Sequence, residues 1–278
     1  MKIDSHQHFW RYNNVDFGWI NDKMSILKRD FLPDDLFKEL QSINFDGSIA
    51  VQARQNLDET KWLLDLANSN QFIKGIVGWV ELCSPNIDEQ LNEFSKNNKL
   101  MGVRHVVHDE QDDNFMARKD FQNGISLLEK YNLTYDLLLF PKHLELAADL
   151  VNEFPNQKFV LDHISKPLIK DQIHSPWDKS IRKLAQNPNV FCKLSGMVTE
   201  ANWTSWEASD FKYYLDIVFE CFGVDRLMIG SDWPVCKLTG TYNKTMSLVF
   251  EYIKKFNEDV QSNILGENCR KFYLQNKK

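Results

Sequence analysis

Two histidines sit two residues apart near the start of the chain, in Ile3-Asp4-Ser5-His6-Gln7-His8. Alternate side chains of a β-strand share a face, so His6 and His8 point the same way. A same-face imidazole pair at a strand's C-terminal end can grip one divalent cation or one polar substrate. The plainer alternative is two polar residues near a chain start. A second apolar run ends in Val160-Leu161-Asp162-His163. Its two polar residues should face opposite sides, and we expect His163 inside with Asp162 capping or packing outside. A third run ends in Leu227-Met228-Ile229-Gly230-Ser231-Asp232-Trp233-Pro234. Asp232 stands where the apolar residues give out. An ionised carboxylate only accepts hydrogen bonds, so Asp232 can take a proton from water as a general base. A helix cap or Asx-turn before Pro234 is the alternative.

Two cations interrupt other apolar runs: Arg104 in Gly102-Val103-Arg104-His105-Val106-Val107, and Lys193 in Phe191-Cys192-Lys193-Leu194-Ser195-Gly196. A buried cation needs a carboxylate or an anionic ligand. Each is therefore half of a structural ion pair or part of a positive field that stabilises an oxyanion. Asp136, in Thr134-Tyr135-Asp136-Leu137, could anchor Arg104 or a substrate hydroxyl. Gln52 offers a neutral hydrogen bond to substrate or to a loop. His108, His143 and His174 fall in polar stretches and read as solvated groups. Trp10, Trp79, Trp203 and Trp233 fall near strand ends, where packing is the default and stacking on a ligand the alternative.

These residues need a frame. Strand-like runs cover Lys2–Phe9, Gly47–Gln52, Ile73–Leu82, Met101–Val107, Thr134–Phe140, Lys158–Ile164, Val190–Ser195 and Leu227–Asp232. They are short and rich in Val, Ile, Leu and Phe, as buried parallel strands should be. Helical periodicity fills the intervals, as over Leu57–Asn70, Lys142–Phe154, Phe211–Phe222 and Lys244–Phe256. Eight β-then-α units in 278 residues predict one α/β domain spanning 1–278, a (β/α)8 TIM barrel with its active site at the C-terminal face of the strands. An open doubly wound sheet is disfavoured, because no Gly-x-Gly-x-x-Gly follows the first strand. The segments Trp10–Pro33 and Gly196–Ser205 read as long loops at the barrel mouth.

The net charge of −6, from 33 basic and 39 acidic side chains, argues against nucleic acid as a partner. No apolar run approaches the roughly 20 residues a membrane span needs. The 5 cysteines are scattered, with no C-x-x-C pair, and predict reduced thiols in the cytoplasm.

The ordered set of motifs resembles the amidohydrolase superfamily, in its amidohydrolase 2 branch, and within it sugar lactonases of the L-fuconolactonase and L-rhamnonolactonase type. The resemblance runs nearly end to end. It rests on Asp4-Ser5-His6-Gln7-His8-Phe9-Trp10, Arg29-Asp30-Phe31-Leu32-Pro33, Val51-Gln52, Gly78-Trp79-Val80 and Gly102-Val103-Arg104-His105. It continues through Tyr135-Asp136-Leu137, Leu161-Asp162-His163-Ile164-Ser165-Lys166-Pro167 and Lys193-Leu194-Ser195-Gly196. It closes with Thr199-Glu200-Ala201-Asn202-Trp203, Gly230-Ser231-Asp232-Trp233-Pro234 and Gly266-Glu267-Asn268.

The resemblance implies a hydrolase that opens a small-molecule sugar lactone to the sugar acid. His6, His8, His163 and Asp232 match the family's active-site positions, and Arg104 its strand-four position. Gln52, Asp136 and Lys193 look like pocket lining, and Glu200 with Trp203 like a loop over the sugar. Binuclear members carry a bridging lysine or glutamate on strand four, where this chain has Arg104 and His105. Many mononuclear members take a histidine from strand five, where it has Asp136. A two-metal centre is therefore not expected. His6, His8 and Asp232 could hold one zinc with an open position, and His163 could complete the set or act beside it. A lactone is an activated ester. A general base contributes roughly 10²–10⁴-fold and an oxyanion donor on the order of 10²–10³-fold, so the expectation is no required cofactor, with zinc optional. The rival readings are a metal-dependent amidohydrolase or decarboxylase on the same scaffold, and a non-catalytic sugar-acid-binding protein. The sugar, and whether the chain forms a homo-oligomer, are left open.

Overall fold

The computed structural model describes residues 1–275. Eight parallel strands lie side by side in sequence order. They are β1 (Ile3–Gln7), β2 (Gly47–Val51), β3 (Ile73–Gly78), β4 (Leu100–His105), β5 (Thr134–Leu137), β6 (Phe159–Leu161), β7 (Val190–Leu194) and β8 (Leu227–Ile229). A helix follows each: α1 (Pro33–Ser42), α2 (Leu57–Ser69), α3 (Ile87–Phe94), α4 (Lys119–Leu128), α5 (Leu144–Glu153), α6 (Trp177–Ala185), α7 (Ala208–Phe222) and α8 (Tyr242–Ile253). This is the expected (β/α)8 barrel. The strands are buried on both faces, which is why they read as apolar runs without alternation.

Two apolar layers hold it. The larger lies between the strands and the surrounding helices. The smaller fills the lower barrel with Ile3, Ile49, Val77, Val160 and Met228, and Phe272 and Tyr273 of a C-terminal helical turn, Arg270–Leu274, pack into it. This plug lies outside the eight β-then-α units that the sequence periodicity predicts.

The barrel closes at its mouth. The Asp232 backbone N–H donates to the His6 carbonyl at 2.8 Å, and that of His8 to the Trp233 carbonyl at 2.7 Å. The same two bonds bring the histidine pair of the first strand beside the late aspartate. Asp4 clamps the seam from below. Its carboxylate accepts from the Ser231 hydroxyl at 2.6 Å, the Ser231 N–H at 2.9 Å and the Tyr242 hydroxyl at 3.0 Å. Burial pushes the Asp4 carboxyl up to about 6, against the pull of these donors.

The expected strands run too far at their C-terminal ends. β6 stops at Leu161 and β8 at Ile229, so Asp162, His163 and Asp232 stand on turns. Among the described residues no helix is long and apolar enough to cross a membrane. All five cysteines are free.

Candidate active site

The turn after β6 is left-handed. His163, Ile164, Ser165 and Lys166 have φ of 56°, 48°, 63° and 49°. Left-handed backbone costs an L-residue roughly 1–2 kcal/mol, and a β-branched Ile is an uncommon occupant. The surroundings impose the turn: Ile164 is fully buried, and its carbonyl accepts from the Trp177 indole at 2.8 Å. This turn corrects the expectation that Asp162 lies outside. Val160 packs in the inner cluster, and Asp162, two residues on, continues inward. The left-handed step then swings His163 inward as well. Asp232 also has positive φ, 56°. Strain of this kind concentrates where function fixes a side chain.

Four side chains converge. His6 Nε2 lies 3.2 Å from His8 Nε2. Asp232 Oδ1 lies 3.3 Å from His8 Nε2, 3.9 Å from His6 Nε2 and 3.9 Å from His163 Nε2. His8 Nδ1 faces the Val51 carbonyl at 2.8 Å, which makes Nδ1 the donor and leaves a lone pair on Nε2. His6, His8 and Asp232 thus present two ring nitrogens and a carboxylate oxygen to one point. Tetrahedral zinc with Zn–N near 2.05 Å separates its ligands by about 3.3 Å, so the donor set fits such an ion. His6, Asp162 and His163 also lie close enough to share a cation.

A buried charge cluster supports this group. Arg104 Nη1 donates to Asp162 Oδ2 at 3.0 Å and lies 3.3 Å from His6 Nε2, while Nη2 donates to the Gln52 carbonyl at 2.5 Å. Lys193 Nζ donates to Asp136 Oδ2 at 2.5 Å and lies 3.0 Å from Asp162 Oδ1 and 3.3 Å from His6 Nδ1. Burial pulls the Lys193 ammonium down, but Asp136 and Asp162 outweigh it and hold its pKa above the ordinary lysine value. Burial pushes Asp162 up, but Lys193, His6 and Arg104 outweigh it and hold it well below the carboxylate range. The two cations and two carboxylates balance. Burial drives His6 and His163 well below the ordinary imidazole value, so both rings are neutral. Burial raises Asp232 too, yet His163 and His8 outweigh it and leave its carboxyl lowered.

A cavity of about 260 Å³ opens above, walled by Arg104, His163 and Asp232 and by His108, Lys166 and Trp19, none of which was a sequence candidate for the site. Lys166 Nζ pairs with Glu200. Lys166 had a signal, since it lies in the quoted 161–167 motif; Trp19, 47% exposed on the long Trp10–Pro33 loop, had none beyond its ring.

Several expected placements differ. Asp136 pairs with Lys193 and the Tyr273 hydroxyl, not with Arg104. Asp136 and Lys193 are both fully buried, a layer beneath the cavity. Gln52 is also buried and pairs with Arg104 both ways: its backbone carbonyl accepts from the guanidinium at 2.5 Å, and its side-chain amide donates to the Arg104 backbone carbonyl at 3.4 Å. Glu200 and Trp203 line a separate rim cavity of about 500 Å³. His143 is buried against a solvated expectation, His108 stacks on Phe140 at the mouth, and His174 stacks on Tyr213. Trp10 and Trp233 are buried packing residues, and the Trp79 indole donates to His105.

Gly196 shows how tightly His163 is held. A Cβ there would lie 2.4 Å from His163 Nδ1, on a backbone with φ of 60°. We expect Gly196→Ala to displace the ring and lower kcat by about 10²-fold while the protein still folds. Steady-state kinetics beside a circular dichroism melt checks this.

The model of the amidohydrolase family matches residues 3–274, and the chain belongs to that family. A protein of Burkholderia multivorans named L-fucono-1,5-lactonase is 41% identical over 259 residues, covering 90% of this chain and 87% of that protein. One of Burkholderia ambifaria with the same name is 31% identical over 276 residues, covering 98% and 95%. A crystal structure of a Burkholderia multivorans amidohydrolase with bound zinc superposes with a TM-score of 0.94 at 39% identity, covering 98% of this chain and 99% of that one.

Proposed function

We propose that this enzyme, a lactone-opening hydrolase, converts L-fucono-1,5-lactone or a close six-ring sugar lactone to the open sugar acid. The observation that carries the reading is Asp232, ionised and facing three imidazoles, at the floor of a cavity that Arg104 also lines. Two relatives similar over nearly the whole chain bear that lactone's name.

The geometry supports the following roles. Asp232 takes a proton from water as its oxygen attacks the lactone carbonyl carbon. The His163 ring accepts from or donates to the Ser195 hydroxyl at 2.9 Å through Nδ1. The Asp232 carboxylate opposite favours the proton on Nε2, aiming a neutral donor into the cavity. Arg104 and His163 receive the negative charge that develops on the carbonyl oxygen. The ring C–O bond then breaks, and Asp232 returns its proton to the leaving ring oxygen, which restores the carboxylate. His6, His8 and Asp232 would hold a divalent ion, whose chemistry is to polarise the carbonyl as a Lewis acid and to acidify water. Asp136, Lys193 and Gln52 set the frame beneath, and Trp19 offers a ring face to the sugar. Glu200 and Trp203 shape the rim, and the reduced cysteines suit the cytoplasm.

The test is acid release from a panel of 1,4- and 1,5-aldonolactones, followed with a pH indicator with and without chelator. We expect turnover of a six-ring deoxysugar lactone, with on the order of a tenth or more surviving chelation because base and oxyanion donors remain. No acid from any lactone would remove the assignment. A complete loss on chelation would make the metal essential.

A further inference from the structure

We infer that Tyr273 is a positioning residue for His6, acting upward through Asp136 and Lys193. The lower barrel is apolar, filled by Ile3, Ile49, Val77 and Val160, and the Tyr273 phenol is the polar exception that the C-terminal turn adds to it. A buried phenol needs a partner, and this one finds it above. Its hydroxyl donates across both carboxylate oxygens of Asp136, at 2.9 Å to Oδ1 and 2.8 Å to Oδ2. Lys193 Nζ takes Oδ2 from the other side at 2.5 Å and then reaches His6 Nδ1 at 3.3 Å. Among the described residues, Lys193 is the side chain that contacts both Asp136 and His6, and Tyr273 is the side chain that holds Asp136 Oδ1. Asp136 and Lys193 are fully buried and Tyr273 is 3% exposed, so water does not substitute for a missing link. Lys193 Nζ also lies 5.5 Å above the Tyr273 ring centroid.

The column explains why a side chain at the closed end of the barrel carries a hydroxyl at all. Phe272 beside it supplies packing without one. Removing the phenol oxygen strips Asp136 Oδ1 of its donor. The carboxylate then keeps Lys193 as its partner but can turn about its own axis, Lys193 Nζ shifts toward its other anchor, Asp162 Oδ1 at 3.0 Å, and the ring of His6, whose Nδ1 faces both Nζ and Asp162 Oδ1 at 3.2 Å, is re-set. Groups in this outer position orient an imidazole and tune what its far nitrogen presents to the site.

The test is Tyr273→Phe in the full chain. The inference rests on the lactone-hydrolase reading for its kinetic arm alone. We expect kcat on L-fucono-1,5-lactone to fall about tenfold with KM within about twofold, and the ¹⁵N signals of the His6 ring to move at neutral pH and matched metal content. In an Asp136→Asn background, Tyr273→Phe should change kcat no further, because the route is already cut. Phe272→Leu is the packing control: it lowers the melting temperature and leaves kcat and the His6 signals in place. Unchanged kcat with unmoved His6 signals overturns the inference, and so do losses that multiply in the double variant. If Tyr273→Phe does not fold, Asp136→Asn alone must reproduce the kcat loss and the His6 shift, and unmoved His6 signals there overturn it. If the wild-type chain opens no lactone, the functional reading fails and the NMR arm still decides this one.

Discussion

Replacing Asp232 with Asn is expected to lower kcat by at least about 10³-fold while leaving the fold intact. Asn keeps the shape of the side chain and is among the residues that tolerate positive φ, so the 56° conformation at this position survives. The backbone bond from residue 232 to the His6 carbonyl, which closes the barrel, is also retained. What disappears is the lone-pair basicity that, in the proposed mechanism, removes a proton from water and returns it to the ring oxygen. The wild-type pH profile should agree. Asp232 is held below the ordinary carboxylate value, so it is ionised throughout the neutral range, and the acid limb of kcat/KM should lie on the acid side of where a free aspartate titrates. Near-normal turnover in Asp232→Asn would take the carboxylate out of the mechanism.

Replacing Lys193 with Met is expected to produce the largest loss of stability. The ammonium lies between Asp136 and Asp162, and all three side chains are fully buried. Met fills similar space but leaves two carboxylates facing one another, with Arg104, among the described residues, the one remaining Arg or Lys in contact with Asp162. Breaking a buried pair in this way costs about 3–5 kcal/mol, which in a chain of this size lowers the melting temperature on the order of 10 °C. The pH dependence carries a sign. Burial already pushes Asp136 up to about 6 with Lys193 in place; without the ammonium Asp136 rises further and Asp162 loses its strongest downward pull, so the folded variant binds more protons than the folded wild type. The deficit is therefore greatest above the raised pKa and shrinks as pH falls through it. A thermal melt at several pH values reads both. A loss that grows at acid pH would contradict the charge assignment.

The two variants separate what the sequence makes legible from what it hides. The eight strands are legible because parallel strands are buried on both faces and leave unbroken apolar runs. Arg104 and Lys193 stand out because a cation in such a run demands a partner. The strand ends are not legible. A period-two argument places Asp162 and His163 on opposite faces, and the left-handed turn over His163–Lys166 defeats it by bringing both inward. Val160 carried the right signal, since Asp162 shares its face. The pairing of Asp136 was hidden for another reason. Its partners, Lys193 and Tyr273, lie far along the chain, and the helical turn holding Tyr273 packs by insertion, without the amphipathic period that marks the outer helices. The mouth residues Trp19, His108 and Lys166 sit on loops whose course is set by tertiary contacts.

The most direct test is a crystal structure of Asp232→Asn soaked with L-fucono-1,5-lactone. The lactone carbonyl oxygen should lie within hydrogen-bond reach of Arg104 and His163, with the carbonyl carbon facing residue 232 and the sugar ring beneath Trp19. A lactone seated instead in the rim cavity beside Glu200 and Trp203, or one whose carbonyl points away from the histidines, would contradict the assignment.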